Sequence, residues 1–142
     1  MTLDMDELLA LWSQEHEDPA AAFTRFYTDP VSVNGALLTI EDLVARADAL
    51  RSTFADLDRE VLDVCRDGDK IAVAFRMSGL QVGPLATSAG VLPPTGREIT
   101  LRVIDVLTLV DGRISSLWMV ADELGALAQA GAVQLLSPAA GG

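Results

Sequence analysis

Two Asp-Gly pairs, Asp67-Gly68 and Asp111-Gly112, each separate two runs rich in β-branched and aliphatic residues. Such a pair tolerates the backbone of a two-residue hairpin turn, so each should join two antiparallel strands. From Asp58 onward the chain therefore reads as sheet. Ahead of it the pattern is helical. Asp4 with Glu7 forms a capping pair before Leu8, Leu9 and Trp12, and Asp18-Pro19 opens a second helix with Pro at its first position. Tyr27-Thr28-Asp29-Pro30 ends that helix, and Val31-Ser32-Val33 follows as a short strand. Thr39 with Asp42 opens a third helix through Leu43, Val44, Ala47, Leu50 and Phe54. A last short helix spans Glu123 to Ala130. Helices first and an antiparallel sheet afterwards define the α+β class: one domain over residues 1–136, then a flexible tail over 137–142.

The net charge of −11 argues against nucleic acid and anionic membranes as partners. It leaves neutral and cationic small molecules open. The single cysteine, Cys65, forbids an internal disulfide and suits a reducing cytoplasm. The acidic start Asp4-Met5-Asp6-Glu7 is unlike a secretory leader, and no apolar run approaches the roughly 20 residues of a membrane span. One histidine, one cysteine and scattered carboxylates offer no metal site, and no phosphate-binding glycine loop is present.

The second hairpin can be read in register. With Val110 opposite Arg113, Asp105 falls opposite Trp118, and Leu101 opposite Asp122. Both carboxylates then share one apolar face, about 13 Å apart along the strand. Asp105 lies inside the run Ile99 to Val110, where an ionised carboxylate is expensive, so its pKa should rise toward the range of a general acid. Asp122 stands where strand gives way to helix, which is equally a helix-cap position, and both roles stand open. In the first hairpin the same reading sets Arg76 opposite Arg59, and Glu60 opposite Phe75 as a third acid. His16 reads as a surface residue. The other face of the Asp105 hairpin is also apolar at its centre, which predicts a homodimer through the sheet face. The long, small-residue segment Val82 to Gly96 should border the mouth of a cavity.

Val103-Ile104-Asp105-Val106 followed by Gly112-Arg113-Ile114 resembles the sheet of ketosteroid isomerases, where the matching aspartate is a protonated oxyanion-hole donor. A wider set of short motifs runs from about residue 5 to 133: Phe26-Tyr27, Asn34-Gly35, Phe54-Ala55-Asp56-Leu57, Gly79-Leu80-Gln81-Val82-Gly83, Pro94-Thr95-Gly96-Arg97, Trp118-x-x-x-Asp122-x-Leu124-Gly125 and Gln129-x-Gly131. In order and spacing these resemble the SnoaL-like polyketide cyclases, or ester cyclases, of the nuclear transport factor 2-like superfamily. The resemblance implies a cone-shaped barrel: a curved antiparallel sheet wrapped around N-terminal helices and enclosing an apolar cavity. It implies a cofactor-independent cyclase or isomerase of secondary-metabolite biosynthesis, such as an antibiotic pathway, acting on an apolar polyketide-like molecule.

Carried over by position, Asp122 matches the cyclases' general base and Asp105 the isomerases' acid. Asn34 and Gln81 would hydrogen-bond substrate oxygens, while Trp118, Tyr27 and Arg76 would bind or shape the substrate. Asn34 replaces the isomerases' base and cannot take a proton at neutral pH, so classical ketosteroid isomerisation is not expected. Gln81 stands where the family often has histidine. Limonene-epoxide hydrolases use an aspartate–arginine–aspartate set; Arg76 falls near their arginine, but Ser78 replaces one acid. An epoxide-opening hydrolase or cyclase and a non-catalytic, dimeric small-molecule-binding module remain as alternatives.

Overall fold

The computed structural model describes residues 3–137, so the expected tail lies, apart from Ser137, outside the described residues. In chain order the elements are α1 (Met5–Ser13), α2 (Pro19–Thr24), β1 (Tyr27–Val33), β2 (Ala36–Leu38), α3 (Ile40–Thr53), β3 (Phe54–Asp67), β4 (Lys70–Gln81), β5 (Leu85–Thr87), β6 (Gly90–Leu92), β7 (Glu98–Val110), β8 (Arg113–Ala121) and α4 (Glu123–Gln129). The helix starts follow local chemistry. The Asp4 carboxylate accepts the backbone N–H groups of Asp6 and Glu7, Asp18 accepts that of Ala21, and Thr39 with Asp42 forms a reciprocal capping box.

The main sheet has six strands in the order β2-β1-β8-β7-β4-β3. It is α+β and curved, as expected, but it does not close into a barrel. Nor is it wholly antiparallel, because β1 runs parallel to β8. The strands β5 and β6 form a separate hairpin inside the segment expected to be a loop. The main core lies between the inner sheet face (Ile71, Val73, Leu107, Leu117) and the helices (Leu8, Leu11, Phe23, Leu43, Ala47).

Three local irregularities overturn the sequence-derived registers. In β7–β8 the turn is at Asp111-Gly112, and Val110 does pair with Arg113. Beyond Leu109–Ile114, however, Ser115 is an extra residue, and its hydroxyl donates to the Thr108 carbonyl. This β-bulge shifts every later pair by one position. Asp105 therefore lies opposite Met119, and Trp118 lies opposite Val106 on the outer face. In β3–β4 the turn is Gly68-Asp69, with Asp67 opposite Lys70, and the register shifts again at Leu62 and near Asp56. Glu60 therefore faces Arg76 and Arg59 faces Met77, rather than the pairs first expected. A one-residue slip moves a side chain to the opposite face, so these bulges decide which residues the cavity receives.

Candidate active site

Between the inner sheet face and the helices α1 and α3 lies a cavity of about 430 Å³. Its wall is mostly apolar: Leu8 and Leu9 from α1, Leu43 and Leu50 from α3, Phe75 and Met77 from β4, Val103 from β7, and Leu117 and Met119 from β8. Leu85, Ala86 and Thr87 of the β5–β6 hairpin also line it, as expected of a segment at the mouth. The hairpin tip is tied to α4, because Ser88 donates both its N–H (3.0 Å) and its hydroxyl to the carboxylate of Glu123, another lining residue.

Asp105 lines this cavity, held between Val73 and Met119 on the neighbouring strands. Its Oδ1 is buried and has no hydrogen-bond partner among the described residues. Burial pushes its pKa up to about 6, against a smaller downward pull from the positive charge of Arg59. Near neutral pH such a carboxyl can both take and return a proton.

Tyr27, at the start of β1, is also in the wall, and its hydroxyl oxygen accepts the Trp12 indole N–H at 2.9 Å. Burial raises the phenol above its ordinary pKa, with the Trp12 bond opposing and the Asp105 charge adding to the rise. Tyr27 therefore stays protonated and can donate. Arg59 was not expected here. The bulge at Leu62 turns it inward, where it donates to the Leu9 carbonyl at 3.4 Å, the Ser13 hydroxyl and the Met77 sulfur at 3.3 Å. Burial lowers its pKa to about 10. The signal that could have found it is slight: one arginine in the charged run Asp56-Leu57-Asp58-Arg59-Glu60.

The other expected site residues are placed elsewhere. Trp118 is outside the cavity and 60% exposed, its ring near the Asn34-Gly35 turn. Asn34 is in that turn at φ 52°, and its Oδ1 accepts the Met119 N–H at 2.7 Å. It completes the β1–β8 junction and does not line the cavity. Gln81 is fully buried, with every polar atom engaged: Nε2 donates to the carbonyls of Gly83, Leu92 and Pro93, and Oε1 accepts from Thr95. Arg76 pairs with Glu60 on the outer side, so no acid–arginine–acid set forms around it.

Asp122 caps α4, where its Oδ1 accepts the Gly125 N–H (2.9 Å) and its Oδ2 pairs with Arg102 (3.0 Å). Both contacts hold its carboxyl below the usual range, and it lies outside the cavity lining. A Cβ at Gly125 would fall 2.4 Å from Asp122 Oδ2, so a larger residue there would make the capping carboxylate shift. His16 is half-buried rather than on the surface, with its ring edge-on to Phe23. Of the expected set, the structure brings together Asp105 and Tyr27 alone.

The architecture is similar to known structures. TsrD of Streptomyces laurentii is 28% identical, with a TM-score of 0.77 over 91% of this chain and 92% of its own. AclR of Streptomyces galilaeus, a candidate hydroxylase, is 21% identical, with a TM-score of 0.72 over 92% and 94%. A SnoaL-like polyketide cyclase of Agrobacterium tumefaciens is 18% identical, with a TM-score of 0.70 over 88% and 95%. No match was found among curated proteins. The family model of the SnoaL-like polyketide cyclases matches residues 5–130, nearly the whole described chain, and to that family the chain belongs.

Proposed function

We propose that the protein is a cofactor-independent cyclase or isomerase of secondary-metabolite biosynthesis, taking an apolar polyketide-like substrate into the 430 Å³ cavity. The observation that carries this is the unpartnered Oδ1 of Asp105, buried in an apolar wall. Asp105 takes a proton from a carbon activated by flanking carbonyls. The electron pair is held as an enolate, whose oxygen receives the Tyr27 hydroxyl as hydrogen-bond donor. The enolate carbon then bonds to a second carbonyl carbon, and the resulting alkoxide takes back the proton from Asp105. One group serves as base and then as acid, which accounts for the chemistry without a second carboxylate in the cavity centre. The apolar wall adds conformational restraint of the folded substrate.

The test compares Asp105→Asn with Asp122→Asn on a cyclisable polyketone. Asp105→Asn should lower kcat by about 10²-fold or more. Asp122→Asn, which keeps a competent helix cap, should stay near wild type. Retained turnover in Asp105→Asn, or its loss only in Asp122→Asn, sinks the assignment. We propose further that two chains pair through the outer sheet face, and that the lone cysteine marks a cytoplasmic protein.

A further inference from the structure

The guanidinium of Arg59 is a cation in the cavity wall for which no carboxylate lies within ion-pair distance among the described residues. Its contacts are all neutral: a long bond to the Leu9 carbonyl, the Ser13 hydroxyl, and the thioether of Met77. A thioether is a weak acceptor, and three contacts leave guanidinium N–H groups unused. A buried cation ordinarily has an anionic partner, because removing its charge from water is costly. Asp105 lines the same cavity, yet no bond joins the two. The cavity also stands apart from the rest of the chain in charge. Arg46 and Arg59 line it against Asp105 and Glu123, whereas the whole molecule carries −11.

We infer that Arg59 is a binding site for an anionic oxygen of the substrate, which we assign as a carboxylate on an otherwise apolar, ring-forming body. The inference rests on the cavity being the substrate site. A carboxylate would displace the Met77 sulfur as acceptor and form the charge-assisted bonds that guanidinium geometry favours. It would also neutralise the one positive charge that restrains Asp105. The groups facing Asp105 are then Tyr27 from β1, which stays neutral, and Arg59 from β3, now paired; Arg46 and Glu123 line the same cavity from α3 and α4. Binding should therefore raise the Asp105 pKa further toward the working pH, which makes its ionised fraction a stronger base for the proposed step and leaves a measurable proton uptake on the remainder.

Two probes of one shape separate the possibilities: 2-naphthoate and its neutral analogue 2-acetylnaphthalene, titrated calorimetrically into the full chain at about pH 7. The carboxylate should bind at least about tenfold more tightly, a preference of the size a charged hydrogen bond supplies. Arg59→Met should abolish that preference while holding affinity for the ketone within about threefold. Titration of wild type in buffers of different ionisation heat should show proton uptake with naphthoate and none with the ketone, and Asp105→Asn should remove the uptake. Equal binding of the two probes, or naphthoate binding without proton uptake, overturns the inference and leaves the cavity reading intact. A preference surviving in Arg59→Met also overturns it, and moves the anchor to Arg46. If neither probe binds wild type, the cavity is not a site for such molecules and both readings fall together.

Discussion

The desolvated carboxyl of Asp105 comes at a cost to stability near neutral pH. Its folded pKa of about 6 exceeds the ordinary 3.8, so the folded state binds the proton more tightly than the unfolded chain does. The stabilisation is therefore complete below about pH 4 and is lost as pH rises through 6. The shift corresponds to at most about 3 kcal/mol, less whatever solvent in the cavity screens. Thermal melts should accordingly show Tm falling between pH 4 and 7 in wild type, with a flatter profile in Asp105→Asn. A wild-type Tm that rises over that interval would count against a desolvated Asp105.

The same residue was the most legible part of the site, because one carboxylate in an unbroken apolar strand is conspicuous in sequence. Arg59 was not, since it sits among acids in a run that reads as a solvated strand. Tyr27 was legible only as an aromatic at a strand start. Its partner Trp12 is distant in sequence, and only the packing of α1 beside β1 joins them.

At the scale of elements, the caps and the Asp111-Gly112 turn were legible because each depends on residues within four positions of one another. Asp111 and Gly112 both adopt positive φ and the capping box at Thr39 is complete, whereas the first turn falls one residue later than expected, at Gly68-Asp69. Strand registers were not legible beyond the first bulge, since alternation by two assumes an unbroken ladder. The consequence was specific: Trp118 was read inward in place of Met119, and Arg59 was not read as a cavity residue, while Arg76 entered the expected site only through the family resemblance. Several residues that carry the family resemblance prove to be architecture. Gln129 clips α4 to β7 by two bonds to the Thr100 backbone, and Gln81 anchors the return of the hairpin segment. Gln81→Ala leaves three carbonyls and the Thr95 hydroxyl without their partner in a buried position. It should cost about 2–4 kcal/mol by urea denaturation. A loss below about 1 kcal/mol would show that water replaces the amide there.

Across the whole molecule, the outer sheet face remains to be covered. Trp118, Val120 and Ile104 are 60%, 75% and 57% exposed on adjoining strands, a patch larger than isolated apolar residues explain. The pairing of chains proposed above would bury it, and a two-fold interface brings the same patch from each chain. Trp118→Lys with Val120→Lys should convert a dimer to a monomer in sedimentation velocity, without loss of the folded circular-dichroism signal. A monomeric wild type at micromolar concentration would refute the pairing. That face and the cavity are two sides of one sheet, and the single extra residue Ser115 allots Trp118 to one and Met119 to the other. Loss of a single codon there would exchange the two sets of side chains together, trading contact surface for pocket wall. In such a sheet, one insertion or deletion remodels the cavity wall and the outer face in a single step, so neither can change without the other.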